Sequence, residues 1–167
     1  MPGKAGSKRD VRTTAERILA IRDHGREELK RKLLSRGFEE LEVETLIEKL
    51  VRAGLIDDDA YSEEISRYEL ERGHGLHYIR AKLKRKGIEC VPSSLKVSDE
   101  IESLVRYMKR KEISRASLKR GSGREKIIRA LKARGFTSAA LAAVCNLRET
   151  EDAAFDRMFN EDEGDLP

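Results

Sequence analysis

The sequence predicts an all-α protein, three tandem three-helix repeats in an elongated, curved arrangement, and three observations predict it. One helical segment recurs three times without gaps. Each copy is flanked by segments whose apolar residues return every three to four positions, the period of one helix face. No stretch shows the strict apolar–polar alternation of a half-buried strand.

The recurring segment is GREELKRKLLSRGF from Gly25 to Phe38, GLHYIRAKLKRKGI from Gly75 to Ile88 and GREKIIRALKARGF from Gly123 to Phe136. In each, two glycines stand twelve residues apart, with apolar residues four and eight positions after the first: Leu29 and Leu33, Ile79 and Leu83, Ile127 and Leu131. That spacing makes one stripe of a helix of about three turns. The closing pairs Gly37-Phe38, Gly87-Ile88 and Gly135-Phe136 read as helix stops, with glycine in the left-handed conformation and the next side chain folded back on the last turn. Arg36, Lys86 and Arg134, just before these glycines, suit the negative end of a helix dipole.

The flanking elements complete three modules. Thr13 and Glu16 have capping-box spacing and Ile18 and Ile21 begin an apolar face. Val43, Leu46, Ile47, Leu50 and Val51 form the next stripe, stopped at Gly54-Leu55. Asp57 or Asp58 caps a helix carrying Tyr61, Ile65 and Tyr68, and Ser98 caps one carrying Ile101, Leu104, Val105 and Met108. Trailing helices are expected over 92–97, with Pro92 in the first turn, and over 138–147. The predicted organisation is a basic N-terminal tail over 1–12, modules over 13–56, 57–97 and 98–147, and an acidic tail over 148–167. A longer connection, Glu112 to Ser122, is read as a loop or helical extension. The tail, with Phe155, Met158 and Phe159 among its acids, is expected to be a short amphipathic or disordered segment that shields a basic face.

Composition narrows the function. Charged residues make up 40% of 167 and apolar ones 38%, which fits thin-cored helical modules better than one large globule. The start lacks the apolar segment of a secretory signal and no run approaches the ~18 apolar residues of a membrane span, so a cytoplasmic protein with no membrane partner is expected. Cys90 and Cys145 are far apart, and His24, His74 and His77 do not join them at zinc-ligand spacing, so no disulfide framework, metal or other cofactor is expected. The formal charge is +4, but the last twenty residues carry eight acids and two bases. The rest is therefore strongly basic and suits a polyanionic partner or an acidic protein surface.

No phosphate loop, HExxH or nucleophile-elbow pattern occurs, and a non-enzymatic protein is predicted. Asp57, Asp58 and Asp59 are read as helix caps before a metal cluster. Gly73-His74-Gly75 and Gly121-Ser122-Gly123 precede helices and offer amides to an anion as a minor reading. His24 and His74 hold equivalent repeat positions, which favours a junction role.

Charge segregation in the middle module is the strongest functional signal. Asp57 to Glu71 holds seven acids against Arg67, and Arg72 to Ile88 holds six bases and no acid. With Ile79 and Leu83 inward, Lys84 and Arg85 point outward, Arg80 and Lys82 flank them and Lys86 lies near the core edge. Arg80, Lys82, Lys84 and Arg85, with Lys30 and Arg31 in the first module and Arg124, Arg129 and Lys132 in the third, are the candidate partner- and DNA-binding residues. Pairing with the acidic helix alongside is the competing reading. Tyr78 lies in the same helix, off the apolar stripe.

Gly54-Leu55-Ile56-Asp57-Asp58-Asp59-Ala60-Tyr61-Ser62, followed by Gly75, Ile79, Leu83 and Gly87-Ile88, resembles the signature of the RecX family over about residues 15 to 147. The resemblance implies a monomeric, non-enzymatic regulator that lies in the groove of the RecA filament on single-stranded DNA and restrains ATP hydrolysis, strand exchange and repressor autocleavage. The alternative is a general helical DNA-binding protein that acts on phosphates without RecA.

Overall fold

The computed structural model describes residues 10–89, 91–120 and 123–146; the acidic tail lies outside them. Among the described residues are nine helices and no strand: α1 (Val11–Leu19), α2 (Arg26–Leu34), α3 (Glu40–Arg52), α4 (Asp58–Glu71), α5 (Leu76–Lys86), α6 (Val97–Arg110), α7 (Arg115–Lys119), α8 (Arg124–Ala133) and α9 (Ser138–Asn146). None of them is long and apolar enough to cross a membrane. The packing falls into two compact units, Met1–Glu69 with Ile79–Leu95 and Leu70–Tyr78 with Lys96–Pro167, so α4 and α5 contribute to both.

In the first unit the stripes of α1, α2 and α3 converge on one core of Val11, Ala15, Ile18, Leu29, Leu33, Val43, Ile47 and Leu50, closed by Ile56. In the second, α6 to α9 bury Leu104, Met108, Leu118, Leu131, Phe136, Leu141 and Val144. The stripe residues Ile79 and Leu83 of α5 are fully buried, as are Leu29, Leu33 and Leu131, whereas Ile127 is half-buried.

The glycine stops form as read, with φ of 85° at Gly37, 88° at Gly87 and 89° at Gly135. Two of them do a second job. A Cβ on Gly87 would lie 2.3 Å from Glu27 Cβ at the first turn of α2, and one on Gly135 would lie 2.3 Å from Tyr78 N near the start of α5. The end of one recurring helix thus abuts the beginning of the preceding one, so glycine is needed for both torsion and space.

The opening glycines follow a parallel rule. Gly25, the N-cap of α2, has no side-chain cap; Asp58 of α4 accepts a hydrogen bond from Arg26 N at 2.8 Å instead. Beyond Gly75, Glu100 of α6 accepts from Leu76 N at 2.9 Å. The same carboxylate also accepts from Thr137 N and Thr137 Oγ1, ahead of α9, at 2.9 and 2.6 Å. A carboxylate from a later helix therefore satisfies an orphan donor at the start of α2 and of α5.

Several local expectations change. Asp10 caps α1, accepting from Arg12 N and Thr13 N, because it stands before the first apolar position and Thr13 is already inside the helix. Ile21 lies beyond the end of α1 and is 83% exposed. Asp57 caps α4 through Asp59 N and Ala60 N, leaving Asp58 for α2. Ser98 sits inside α6, whose first turn is closed by Asp99 Oδ2 accepting from Lys96 N at 2.7 Å. Tyr68 faces outward at 52% exposure. The expected trailing helix over 92–97 does not form, and Val97 already belongs to α6: Leu95 N reaches Pro92 O in a single turn, and a stretch with Pro and two serines buries no stripe that would stabilise a helix nucleus. The Glu112 to Ser122 stretch contains α7, with Leu118 anchored in the second core. It begins with Glu112 at φ 54°, where Ile113 N reaches back to Met108 O as in a glycine stop.

Candidate binding surface

In the first unit the solvent face of α5 is built as the wheel requires. With Ile79 and Leu83 buried, Arg80, Lys84 and Arg85 are exposed and form no ion pair among the described residues. Arg31 of α2 joins them: its guanidinium donates to Arg85 O at 2.9 Å, satisfying a carbonyl in the last turn of α5. Arg31, Lys84, Arg85 and Arg80 thus form one cationic edge. The link from Arg31 to Arg85 spans 54 residues, and no local pattern reveals it.

The flanking cations are engaged. Lys82 pairs with Glu69, whose side chain is 2% exposed, so the acidic helix does neutralise this member of the basic one. Lys86 donates to Glu28 Oε2 and to Tyr61 Oη, both at 2.8 Å. Arg22 also pairs with Glu28 and donates to Tyr61 Oη at 2.8 Å. Burial alone would push the Glu28 carboxyl up. Hydrogen bonds from Arg22, Lys86 and Tyr61, with the charge of Lys86, outweigh it and hold the group down at about 2. Alongside, buried His24 donates through Nδ1 to Arg22 O and accepts from Lys32 Nζ at 2.6 Å. Burial and the nearby cations keep that imidazole neutral, lowering its pKa. This polar hub ties α2, α4 and α5 together beneath the edge, and makes His24 a junction residue.

Elsewhere the expected residues divide. Lys30 is taken by Glu44 at 2.6 Å and Glu40 at 3.3 Å. Arg124 spends its Nε on Leu118 O at 2.8 Å, tying the first turn of α8 to α7. Arg129 and Lys132 remain on the exposed face of α8. Of the residues before the stop glycines, only Arg36 bonds a carbonyl of its own helix, Lys32 O. Arg134 reaches Gly73 O and Arg72 O at the end of α4 and lies over the Tyr107 ring. The first anion reading fails on geometry, because Gly75 N, Leu76 N and His77 N donate to Arg134 O, Glu100 and Gly135 O; Gly121 and Ser122 of the second lie outside the described residues. Tyr78 stacks on His74, with ring centroids 3.9 Å apart, and is not a free platform for a base.

Fold and surface together define the class: an all-α protein of three-helix repeats with a cationic edge on its first unit. Residues 12–50 match the family model for RecX, first three-helix domain. A regulatory protein RecX from Pelodictyon phaeoclathratiforme is 34% identical over 127 residues, which cover 74% of this chain and 79% of that protein. Another, from Pseudomonas fluorescens, is 40% identical over 79 residues, covering 47% of this chain; the chain spans about half of that relative's length, 51%. The crystal structure of RecX from Lactobacillus salivarius shares the fold at a TM-score of 0.68 and 21% identity, over 80% of this chain and 91% of that one. A second crystal structure of regulatory protein RecX gives 0.56 and 23%, over 83% and 74%. The chain belongs to the RecX family.

Proposed function

We propose that this protein binds the RecA filament on single-stranded DNA and restrains RecA ATP hydrolysis, strand exchange and repressor autocleavage, as a cytoplasmic monomer without catalysis or cofactor. The observation that carries the proposal is the cationic edge on a chain of this family: Arg80, Lys84 and Arg85, joined by Arg31, stand exposed on one side of a buried hub. These four are assigned the principal contact, with Arg129 and Lys132 auxiliary. Lys82, Lys30 and Arg124 hold the structure that presents them, since each already has a partner inside the protein.

RecA ATPase on single-stranded DNA, measured with and without the protein, tests this reading. Inhibition at substoichiometric or equimolar protein is expected, together with tighter binding to RecA filaments than to naked DNA at moderate salt. Naked DNA bound as tightly as filaments, with no effect on RecA, would replace the proposal with a general DNA-binding role, because phosphate neutralisation alone weakens steeply with salt.

A further inference from the structure

We infer that a groove on the second unit, between α7, α8 and α9, is the docking site of the chain's own acidic C-terminal tail. The inference goes beyond the filament reading and does not require RecA. The groove has a volume of about 330 Å³. Leu118, Ile128, Leu141 and Cys145 line it, and the exposed Arg124 and Lys132 stand at its rim.

The helix that forms one wall is unlike the rest. α9 reads SAALAAVCN and holds no charged residue, in a chain that is 40% charged. Each of the other described helices carries at least two charged residues. Yet α9 is not wholly inside the core: Ala139, Ala142 and Asn146 are exposed and Cys145 is half-buried. An uncharged wall beside an aliphatic groove is a surface that a second apolar face covers favourably.

Position, pattern and charge select the tail as that face. Asn146 both ends α9 and lines the groove, so residues 147–167 leave from its edge. By Phe155, nine residues on, the chain can reach any point within about 30 Å, more than the length of α9. In the tail sequence Thr150 has the place of an N-cap, with Glu151 and Asp152 in the first turn. Phe155, Met158 and Phe159 then share one face at i, i+3 and i+4. The last twenty residues carry eight acids and two bases, whereas Arg129 and Lys132 of α8 are exposed and form no ion pair with a described residue. A short tether gives an effective concentration in the millimolar range, so a modest contact is enough to seat the tail. Docked, its acids lie against Lys132 and Arg129 and withhold those cations from any other polyanion.

Methyl NMR of the full chain tests the dock, with Phe155→Ser/Met158→Ser/Phe159→Ser as the comparison. The three changes leave the tail's charge untouched and so isolate the apolar contact. Aromatic rings seated in the groove shift nearby methyl resonances by their ring currents. Those of Ile128 and Leu141 should therefore differ between wild type and variant, while those of Leu29 and Val43 in the first core stay in place. The wild-type spectrum should not change on dilution. Thiol chemistry gives a second readout, since Cys145 lines the groove and Cys90 is the only other cysteine. In a Cys90→Ser background, iodoacetamide should alkylate Cys145 about fivefold faster or more in the variant, because the docked tail shields it. Unmoved Ile128 and Leu141 resonances, with equal alkylation rates, would overturn the dock. So would shifts confined to the first unit, which would seat the tail elsewhere, or a wild-type spectrum that reverts to the variant's on dilution, which would give the groove to a second copy's tail. Every readout is taken without RecA, so absence of any effect on RecA ATPase would instead sink the filament reading and leave this result standing.

Discussion

The start of α2 and the start of α5 occupy the same place in the repeat yet are built from different materials. At α2 the contacts are side chains: Asp58 supplies the cap, and Glu28 gathers Arg22, Lys86 and Tyr61. At α5 they are largely backbone: Gly75 N donates to Arg134 O and His77 N to Gly135 O, both at 3.0 Å, with buried Glu100 completing the set. A hypothetical Cβ shows the difference. On Gly25 it would meet Asp58 Oδ1 at 2.9 Å, the end of a side chain able to rotate; on Gly75 it would meet Gly135 O and the backbone of Phe136 at 2.4 Å. One repeat geometry is thus held by electrostatics in the first unit and by close main-chain approach in the second. The first should respond to pH, and the second to a single methyl group.

Gly75→Ala should sharpen this contrast most, destabilising the fold by more than about 3 kcal/mol because backbone cannot yield to the added carbon. The third member of the series, Gly123→Ala, should stay within about ±0.5 kcal/mol, since no atom of the described residues lies within 4 Å of its Cβ position. Urea denaturation of the two variants checks the pair; similar losses would break the comparison.

Next in size is Glu28→Gln, expected to cost about 2 kcal/mol at neutral pH by leaving Lys86 and Arg22 without their shared anion. The folded carboxyl titrates near 2, below its usual 4.5, so its contribution is fully present above the unfolded value and is lost as pH falls toward the folded one. Wild type should therefore lose stability on acidification from pH 5 to pH 2 more steeply than Glu28→Gln, and equal slopes would remove Glu28 from the account. Asp58→Ala should cost about 1 kcal/mol, the value of a lost helix cap, and should leave the acid slope set by Glu28 in place.

These joints also mark what was legible in the sequence. The helices, the stop glycines and the inward stripes follow local periodicity and torsional rules, and they appeared where the residues placed them at Leu29, Leu33, Ile79, Leu83 and Gly87. What local rules missed were long-range substitutions of role. Asp58 looked like a cap for its own helix and serves α2; Arg134 looked like a dipole partner and reaches the carbonyls ending α4. Glu100, which no local pattern singles out, is completely buried. The short stretch after Ile88 carried a proline signal for a helix start but no stripe to bury, so it stopped at a turn. Within the candidate surface, Lys84 and Arg85 were readable from the wheel. The loss of Lys82 to Glu69 and the recruitment of Arg31 depended on which helices become neighbours.

Under the proposed function, the joint beneath α5 matters because it holds the cationic edge in place. The most direct test is inhibition of RecA ATPase by Lys84→Glu/Arg85→Glu, with circular dichroism confirming the fold and the salt dependence of filament binding measured alongside. Both side chains are exposed, so stability should change by no more than about 0.5 kcal/mol. The account predicts that inhibition falls at least tenfold relative to wild type. A salt slope flattened by about 0.7 per lost contact would assign the edge to DNA in the filament, and an unchanged slope would assign it to RecA. Undiminished inhibition by the folded double variant would contradict the assignment of α5 as the filament-binding edge.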